Sequence, residues 1–561
     1  MNGNSSNALV TVGAVLRHLW LMTAVLALSA CGGHSSTNNS SYTVGGTITG
    51  LTSGTVVLVY NGSTTVSVAA GATTWVFSGS FAANSSYSVT VETQPAAELC
   101  EVTAGGSGTA LTANIDNIAV TCSVFGQWTW EAGFSSVNAG GVYGTQGAVG
   151  ANNVPGARKT ASSWTDSSGN LWLFGGYGYD STGNVGTLDD LWRYSPSSGQ
   201  WTWINGDNTH DASGVYGTLA TAAAGNVPGG RYSAASWIDS AGNLWLFGGF
   251  GSDATGAVGY LNDLWQYSPS SGQWTWVSGG NAHNATGVYG TLGTAAATNV
   301  PGARYAASSW IDSTGNLWLF GGVGYDSAGA AGDLNDLWRF SPATGQWTWV
   351  SGSHLHNANG VYGTLATSAA ANIPGARQAA SSWIDSSGLL WLFGGYGYDG
   401  AGDVGYLNDL WQYSPSTAQW TWVSGGDVDN AGGVYGTQGT AGTSNVPGAR
   451  QGASSWIDAS GRVWLYGGAG HGAAAGVGDL NDLWRYDLTS GEWTWVSGGD
   501  SSDGIGLYGT QGAISASTVP GARQGASSWI DASGHLWLFG GAGFGASGNG
   551  YLNDLWQFVP P

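Results

Sequence analysis

Apolar residues in this chain come in short runs bounded by Gly, Asn, Asp and Ser, a pattern of strands separated by tight turns. From residue 125 onward four such runs recur in a fixed order. The first complete set predicts strand a at 160–164 (TASSW), b at 170–174 (NLWLF), c at 191–194 (LWRY) and d at 200–203 (QWTW). Strand a is built mostly of small residues, b is apolar on both faces and runs into Gly175-Gly176, and c and d are aromatic. Residues 166–170 (DSSGN) join a to b with the Asp and Gly that suit a hairpin turn.

The set repeats without slippage. Gly pairs at 175, 248, 321, 394, 467 and 540 are each separated by 73 residues, as are the Trp-Thr-Trp triplets that begin at 128, 201, 274, 347, 420 and 493. Each unit carries five Trp, so thirty of the 32 lie in the repeats. A fixed period of this kind means a solenoid, an array or a propeller. Small residues on the first strand and large ones on the last fit a wedge, whose inner strands crowd an axis while its outer strands diverge; a stacked β-helix needs no such gradient. The repeats also start out of phase, with a d strand at 128–130, and end on a c strand at 554–558. In a ring, the early d strand completes the last blade and covers an open edge. Residues 125–561 number 437, one short of six times 73. The expected fold is therefore all-β: a six-bladed propeller at 124–561, closed by an N-terminal d strand and preceded by a small β-sandwich.

Arg304, the run 317–322 ending in Gly-Gly, Asn335-Asp336-Leu337-Trp338 and Trp347 together resemble the Kelch repeat, and the match recurs six times. One departure is Asp189-Asp190, where the other copies read Asn-Asp. The resemblance implies the fold and not an activity, because Kelch folds serve many unrelated roles. The unit exceeds the ~50 residues usual for Kelch. The excess lies mainly between d and a, as in 204–230 and 277–303, with a smaller share between b and c, as in 177–187. Both connections leave a blade on the same face, which is where a ligand is expected.

Residues 42–123 are different in kind. They are rich in Thr, Val and Ser, and a run at 55–60 (TVVLVY) leads into Asn61-Gly62, a strong hairpin signal. Six or seven short strands suggest a sandwich that resembles immunoglobulin-like or prealbumin-like modules, implying a spacer. Cys100 and Cys122 are expected to pair, worth about 3 kcal/mol for a loop near twenty residues. A metal or redox pair is the other reading, but no His or third Cys accompanies them. Upstream, Arg17 and His18 precede an apolar stretch at 19–28, half the length of a membrane span. Residues 1–30 thus read as a signal peptide. Residues 28–32 (LSACG) resemble the bacterial lipobox, which implies cleavage before Cys31, acylation of that Cys and sorting to the outer membrane. An ordinary signal peptide is the alternative. Residues 31–41 would form a polar tether, and membrane contact would be through the lipid only.

Composition then excludes several classes. Ninety-eight Gly and 13 Pro among 561 residues suggest disorder, but 42% hydrophobic, 12% aromatic and only 8% charged residues require a folded core. A net charge of −21 repels phosphate backbones, and no Gly-rich loop of nucleotide-binding type is present, so neither nucleic acid nor a nucleotide cofactor is implied.

Candidate chemistry is sparse. Tyr143, Tyr216, Tyr289, Tyr362, Tyr435 and Tyr508 lie in the d-to-a loops, each five residues after Asn138, Asp211, Asn284, Asn357, Asn430 or Asp503. They pack and cap the loops in one reading and form an aromatic and amide ring for sugars in another. Arg158, Arg231, Arg304, Arg377, Arg450 and Arg523 stand before strand a; they either pair with the Asp of Asn-Asp in a structural network or form a cationic ring for an acidic ligand. His210, His283 and His356 share one repeat position, and His354 beside His356 makes a weak metal candidate. Asp180, Asp253, Asp326 and Asp399 recur in b-to-c loops without calcium-loop spacing. The Ser-Trp-x-Asp-x-x-Gly-x-x-Trp stretch resembles the sialidase Asp box, which is a turn. Copper-radical chemistry of the galactose oxidase type needs a Cys crosslinked to Tyr, and no Cys follows Cys122. No catalytic set and no cofactor are therefore named. Near-identical blades favour a multivalent binding scaffold for glycan or protein ligands. The alternative is a polysaccharide hydrolase or lyase at the central mouth, for which His354, His471, Asp427 and Asp500 break the sixfold pattern.

Overall fold

The computed structural model describes residues 41–560 except 96, 97, 125, 475 and 516; Cys31 and the residues up to 40, expected to be a signal peptide and a tether, lie outside the described residues. Every regular element among the described residues is a strand. The first ten form a sandwich built chiefly of two four-stranded sheets. One runs in the order Thr74–Val76, Val44–Thr49, Ile115–Val124, Glu98–Ala104, and the other Thr64–Ala69, Thr55–Tyr60, Tyr87–Thr93, Ser107–Gly108. Alternation buries Val56, Leu58, Trp75, Phe77, Ile118 and Val120 between them. Cys100 and Cys122 face each other across one ladder and are disulfide-bonded.

The remaining strands form six blades around one axis. Blade 1 consists of strand a (Ser162–Thr165), b (Leu171–Tyr179), c (Val185–Ser195) and d (Gln200–Asn205), each antiparallel to the next. Blade 6 takes its outer strand from the start of the repeats: Trp128–Ala132 pairs with Gly548–Phe558, placing Trp128 opposite Phe558 and Trp130 opposite Trp556. The ring is therefore closed by main-chain hydrogen bonds between its two ends.

Strands b and c extend well beyond the apolar runs that announce them. Strand b continues through Gly175 and Gly176, both at positive φ (65° and 102°), where the ladder register shifts, and then pairs Tyr177 with Thr187 and Tyr179 with Val185. Gly is required because added Cβ atoms would strike carbonyl oxygens of Arg231 and Leu188 at 2.7 Å and Lys159 at 2.9 Å. The excess expected as a loop between b and c is thus largely hairpin, and six such hairpins make a collar around the axis.

Apolar clusters lie between neighbouring blades. Trp164, Trp172 and Phe174 of blade 1 meet Leu244, Leu246, Trp265 and Trp274 of blade 2, and equivalent clusters recur around the ring. A buried Trp removes about 150–250 Å² from water, worth roughly 4 to 6 kcal/mol as an upper limit. At the axis a second device ties the blades. The residue two places after each Arg donates its N–H to the matching carbonyl of a neighbouring blade: Thr160 to Gly525, Ser233 to Thr160, Ala306 to Ser233, Ala379 to Ala306, Gly452 to Ala379 and Gly525 to Gly452, all at 2.6–2.9 Å. All six sit at φ between 51° and 62°. This closed ring constricts the channel and separates the mouth on the loop-rich side from a cavity of about 320 Å³ lined by the strand a residues.

Candidate functional site

The mouth on the loop-rich side is assembled from three positions per blade. One directly follows the Arg, the second follows the Gly pair, and the third pairs with the second on strand c; in blade 1 these are Lys159, Tyr177 and Thr187. The third is held from the d-to-a loop. Asp211 accepts a hydrogen bond from the Thr187 N–H (2.8 Å) and returns one from its own N–H to the Thr187 carbonyl (2.7 Å). Asn284 holds Tyr260 in this way, Asn357 holds Asp333, Asn430 holds Tyr406, Asp503 holds Asp479 and Asn138 holds Tyr551. All six clamping residues are at positive φ, a conformation Asn and Asp tolerate best after Gly. Their role is therefore to fix the rim of the mouth.

The side chains so presented break the sixfold pattern. Across blades 6, 1, 2 and 3 they form a continuous arc of half-buried rings. Tyr551 meets Tyr177 (5.9 Å between centroids), Tyr177 meets Tyr232 (5.7 Å), Tyr232 meets Tyr305 (6.0 Å) and Tyr305 stacks on Tyr260 (5.6 Å, 29°). Lys159 lies over Tyr551 at 5.7 Å. In blades 4 to 6 the position after the Arg is Gln378, Gln451 and Gln524, and the Gly pair of blades 5 and 6 is followed by Ala469 and Ala542. Two carboxylates complete the rim. Burial raises the Asp333 carboxyl to about 6, and its Oδ1 has no hydrogen-bond partner among the described residues. Asp479 is also raised to about 6, by burial and by the charge of Asp503, and accepts a hydrogen bond from Gln524 at 3.1 Å.

The six Arg and six Tyr expected as possible binding groups do not reach this mouth. Arg158 is 1% exposed and grips Asp190 with two hydrogen bonds (2.6 and 2.7 Å), while its remaining N–H groups donate to the carbonyls of Gly156 and Gly175. The Tyr143 hydroxyl donates to Asp190 at 2.6 Å, and the Trp192 indole N–H donates to the same oxygen at 2.7 Å. Burial, followed by the Asp190 charge, raises the Tyr143 phenol. Arg231 with Tyr216, Arg304 with Tyr289, Arg377 with Tyr362, Arg450 with Tyr435 and Arg523 with Tyr508 repeat the arrangement around Asp263, Asp336, Asp409, Asp482 and Asp554. Neither set offers a ligand a free donor, so the sugar ring and the cationic ring are both corrected to a buried framework.

Buried Arg, Gly pair, Asn-Asp and outer Trp, in that order on four antiparallel strands, are the elements by which such a repeat is recognised. The family model of the KLHDC2/KLHL20/DRC7 Kelch-repeats domain matches residues 219–432 and, in an overlapping placement, residues 291–497. The fold is a Kelch-type β-propeller. No curated protein matches the chain.

Several other sequence candidates turn out to brace this Kelch propeller. His210, His283 and His356 each place Nδ1 2.7 Å from Asp180, Asp253 and Asp326, the same Asp residues that recur in the b-to-c hairpins. Each Asp also accepts hydrogen bonds from backbone N–H groups of its own turn, as Asp180 does from Thr182 and Asn184. His356 is thereby committed, and His354 instead packs against Tyr289 and Trp349, so the two do not converge on a metal position. Asp166 of the Asp-box-like turn accepts hydrogen bonds from the N–H groups of Ser168 and Asn170 and from the Trp172 indole. Of the four pattern breaks singled out in the sequence, His471 reaches the collar, where it meets Tyr406 (5.9 Å); Asp427 and Asp500 serve through their carbonyls, accepting from Gly400 and Ala473. Asp333, Asp479 and the Lys/Tyr/Gln position were missed. Their signal was the alternation Thr, Tyr, Asp, Tyr, Asp, Tyr two residues before each Asn-Asp or Asp-Asp, legible in the sequence once the repeats are aligned.

Proposed function

We propose that this protein is a lipid-anchored binding scaffold of the bacterial cell envelope that holds a carbohydrate chain at the loop-side mouth of its propeller. Kelch repeats generally mediate binding to a partner, protein partners above all. The observation that favours a glycan here is the mouth itself. A framework otherwise repeated six times varies at this rim, where half-buried tyrosine faces stand beside glutamine amides and two carboxylates. Sugars stack their apolar faces on aromatic rings and hydrogen-bond to planar polar groups, which is this combination. The anchor rests on the lipobox-like residues around Cys31, and the Cys100–Cys122 disulfide suits an oxidising compartment outside the cytoplasm.

A glycan array probed with the exported chain, followed by calorimetry, tests the proposal. Tyr232→Ala and Tyr305→Ala should each weaken the best glycan at least tenfold without changing the thermal melt. Binding that is indifferent to both substitutions would remove the mouth from consideration, and capture of protein alone would remove the glycan. A second reading, an acid-base enzyme acting on polysaccharide at the same place, is supported by the raised carboxyls of Asp333 and Asp479, which lie in the range a general acid needs near neutrality. Product analysis of the bound glycan separates the two.

A further inference from the structure

The carboxylates at the mouth bear on the charge of the glycan. Asp333 is half-buried among aromatic groups; burial first, then a neighbouring tyrosine and the Asp333 charge, raise the phenols of Tyr260 and Tyr305. Among the described residues no cation pairs with Asp333: its Oδ1 is unpartnered, and the Asp333 N–H is already taken up by the Asn357 clamp. Asp479, two blades further round, has the Gln524 amide as its side-chain partner and lies beside Asp503. Lys159 is the one cation at the three rim positions defined above, and it is drawn toward Tyr551. The chain as a whole carries a net charge of −21.

Building on the glycan reading, we propose that the mouth selects glycans bearing free amino groups, with an ammonium of a de-N-acetylated hexosamine seated between Asp333 and the Tyr260–Tyr305 pair. An ammonium there meets a carboxylate whose Oδ1 lacks a partner among the described residues and the face of an aromatic ring, two contacts that a neutral acetamide cannot make together. The raised carboxyls agree with this, since a group held without a counter-charge regains its ionised form when a cation arrives. Uronic or sialic acid residues at the same position would set like charges against each other.

The test uses chitosan hexamer, chitin hexamer and an oligo-uronate of equal length, titrated calorimetrically into the exported chain at pH 6.5 and moderate salt. The amine-bearing hexamer should bind at least tenfold tighter than its acetylated twin, and the uronate should not bind. Asp333→Asn keeps the size of the side chain and should bring the two hexamers to within about twofold, while Tyr305→Ala should weaken both. Equal binding of the two hexamers by the unaltered chain would overturn the amine selection and leave the glycan reading standing. A preference that survives Asp333→Asn would also overturn it, placing the ammonium elsewhere. Failure of every glycan, with or without binding of a basic peptide, would overturn both readings. Thermal melts of each variant check that the propeller is intact.

Discussion

Asp189 is the one acidic residue at a position that is Asn in the other five repeats, and it is 1% exposed. In the second repeat, Asn262 accepts from the Gly280 N–H with its oxygen (3.1 Å) and donates from its amide to the Pro301 carbonyl (3.3 Å). Asp189 keeps the first contact, to the Asp207 N–H at 3.1 Å, but an ionised carboxylate has no proton for the corresponding carbonyl of Pro228. Burial, then the charges of Asp207 and Asp190, raises its carboxyl to about 8. An unfolded Asp titrates near 3.9. Between those two values the folded state holds a proton that the unfolded state has lost, so stability falls as pH rises through this window, by up to about 1.4 kcal/mol per unit. The full window gives roughly 6 kcal/mol as a ceiling, which local relaxation and entry of water would reduce. Asp189→Asn removes the titration and supplies the missing donor. Urea unfolding followed by tryptophan fluorescence should show the variant close to the parent at pH 4.5 and more stable by at least about 2 kcal/mol at pH 8. A difference that stays constant across this range, or shrinks with rising pH, would refute the argument.

Perturbations at three further places probe the framework and the sandwich. Arg304→Ala strands the buried Asp336 carboxylate and should cost about 3–5 kcal/mol in the same urea assay, with Arg304→Lys only partly restoring it because one ammonium cannot replace the two-pronged contact. Thr160 is a β-branched residue at φ 52° whose hydroxyl has no hydrogen-bond partner among the described residues, so Thr160→Gly should raise the urea midpoint, by about 1 kcal/mol in stability. Reducing or replacing the Cys100–Cys122 pair should destabilise the sandwich by about 3 kcal/mol; calorimetry should show this as a shift of one transition while the propeller transition stays in place.

Much of the fold could be read from the chain because repetition averages out local ambiguity. A single NLWLFGG stretch says little, but six copies at one spacing, with the d strand at 128–130 out of phase, specify both blade number and closure. Strand lengths were less legible. Tyr177, Gly178 and Tyr179 carry no apolar run, and what makes them strand is the ladder to Val185, Gly186 and Thr187 beyond a glycine bulge. The Arg and Tyr residues that repeat most strictly belong to the framework and not to the site. Arg158 and Tyr143 are invariant through all six copies because each blade needs the same buried Asp satisfied, whereas Asp333 and Asp479 were hidden among aligned positions that vary. Pairings such as His210 with Asp180 join residues thirty apart on two different loops, and spacing alone gave no reason to connect them.

The clamps explain how the mouth can vary while the frame does not. Asp211 holds Thr187 through the backbone N–H and carbonyl, and Asn357 and Asn138 hold Asp333 and Tyr551 by the same two groups. The two contacts common to all six use only main-chain atoms of the rim residue, so they hold it whatever its side chain; Thr187 adds one of its own, donating its hydroxyl to Asp211 at 2.9 Å. The Arg–Asp–Tyr–Trp cluster beneath is likewise satisfied within each blade and takes nothing from the rim. A propeller built this way can carry Thr, Tyr or Asp at the mouth and keep both main-chain contacts of the clamp, so rim chemistry can follow the ligand while the wedge packing follows the fold.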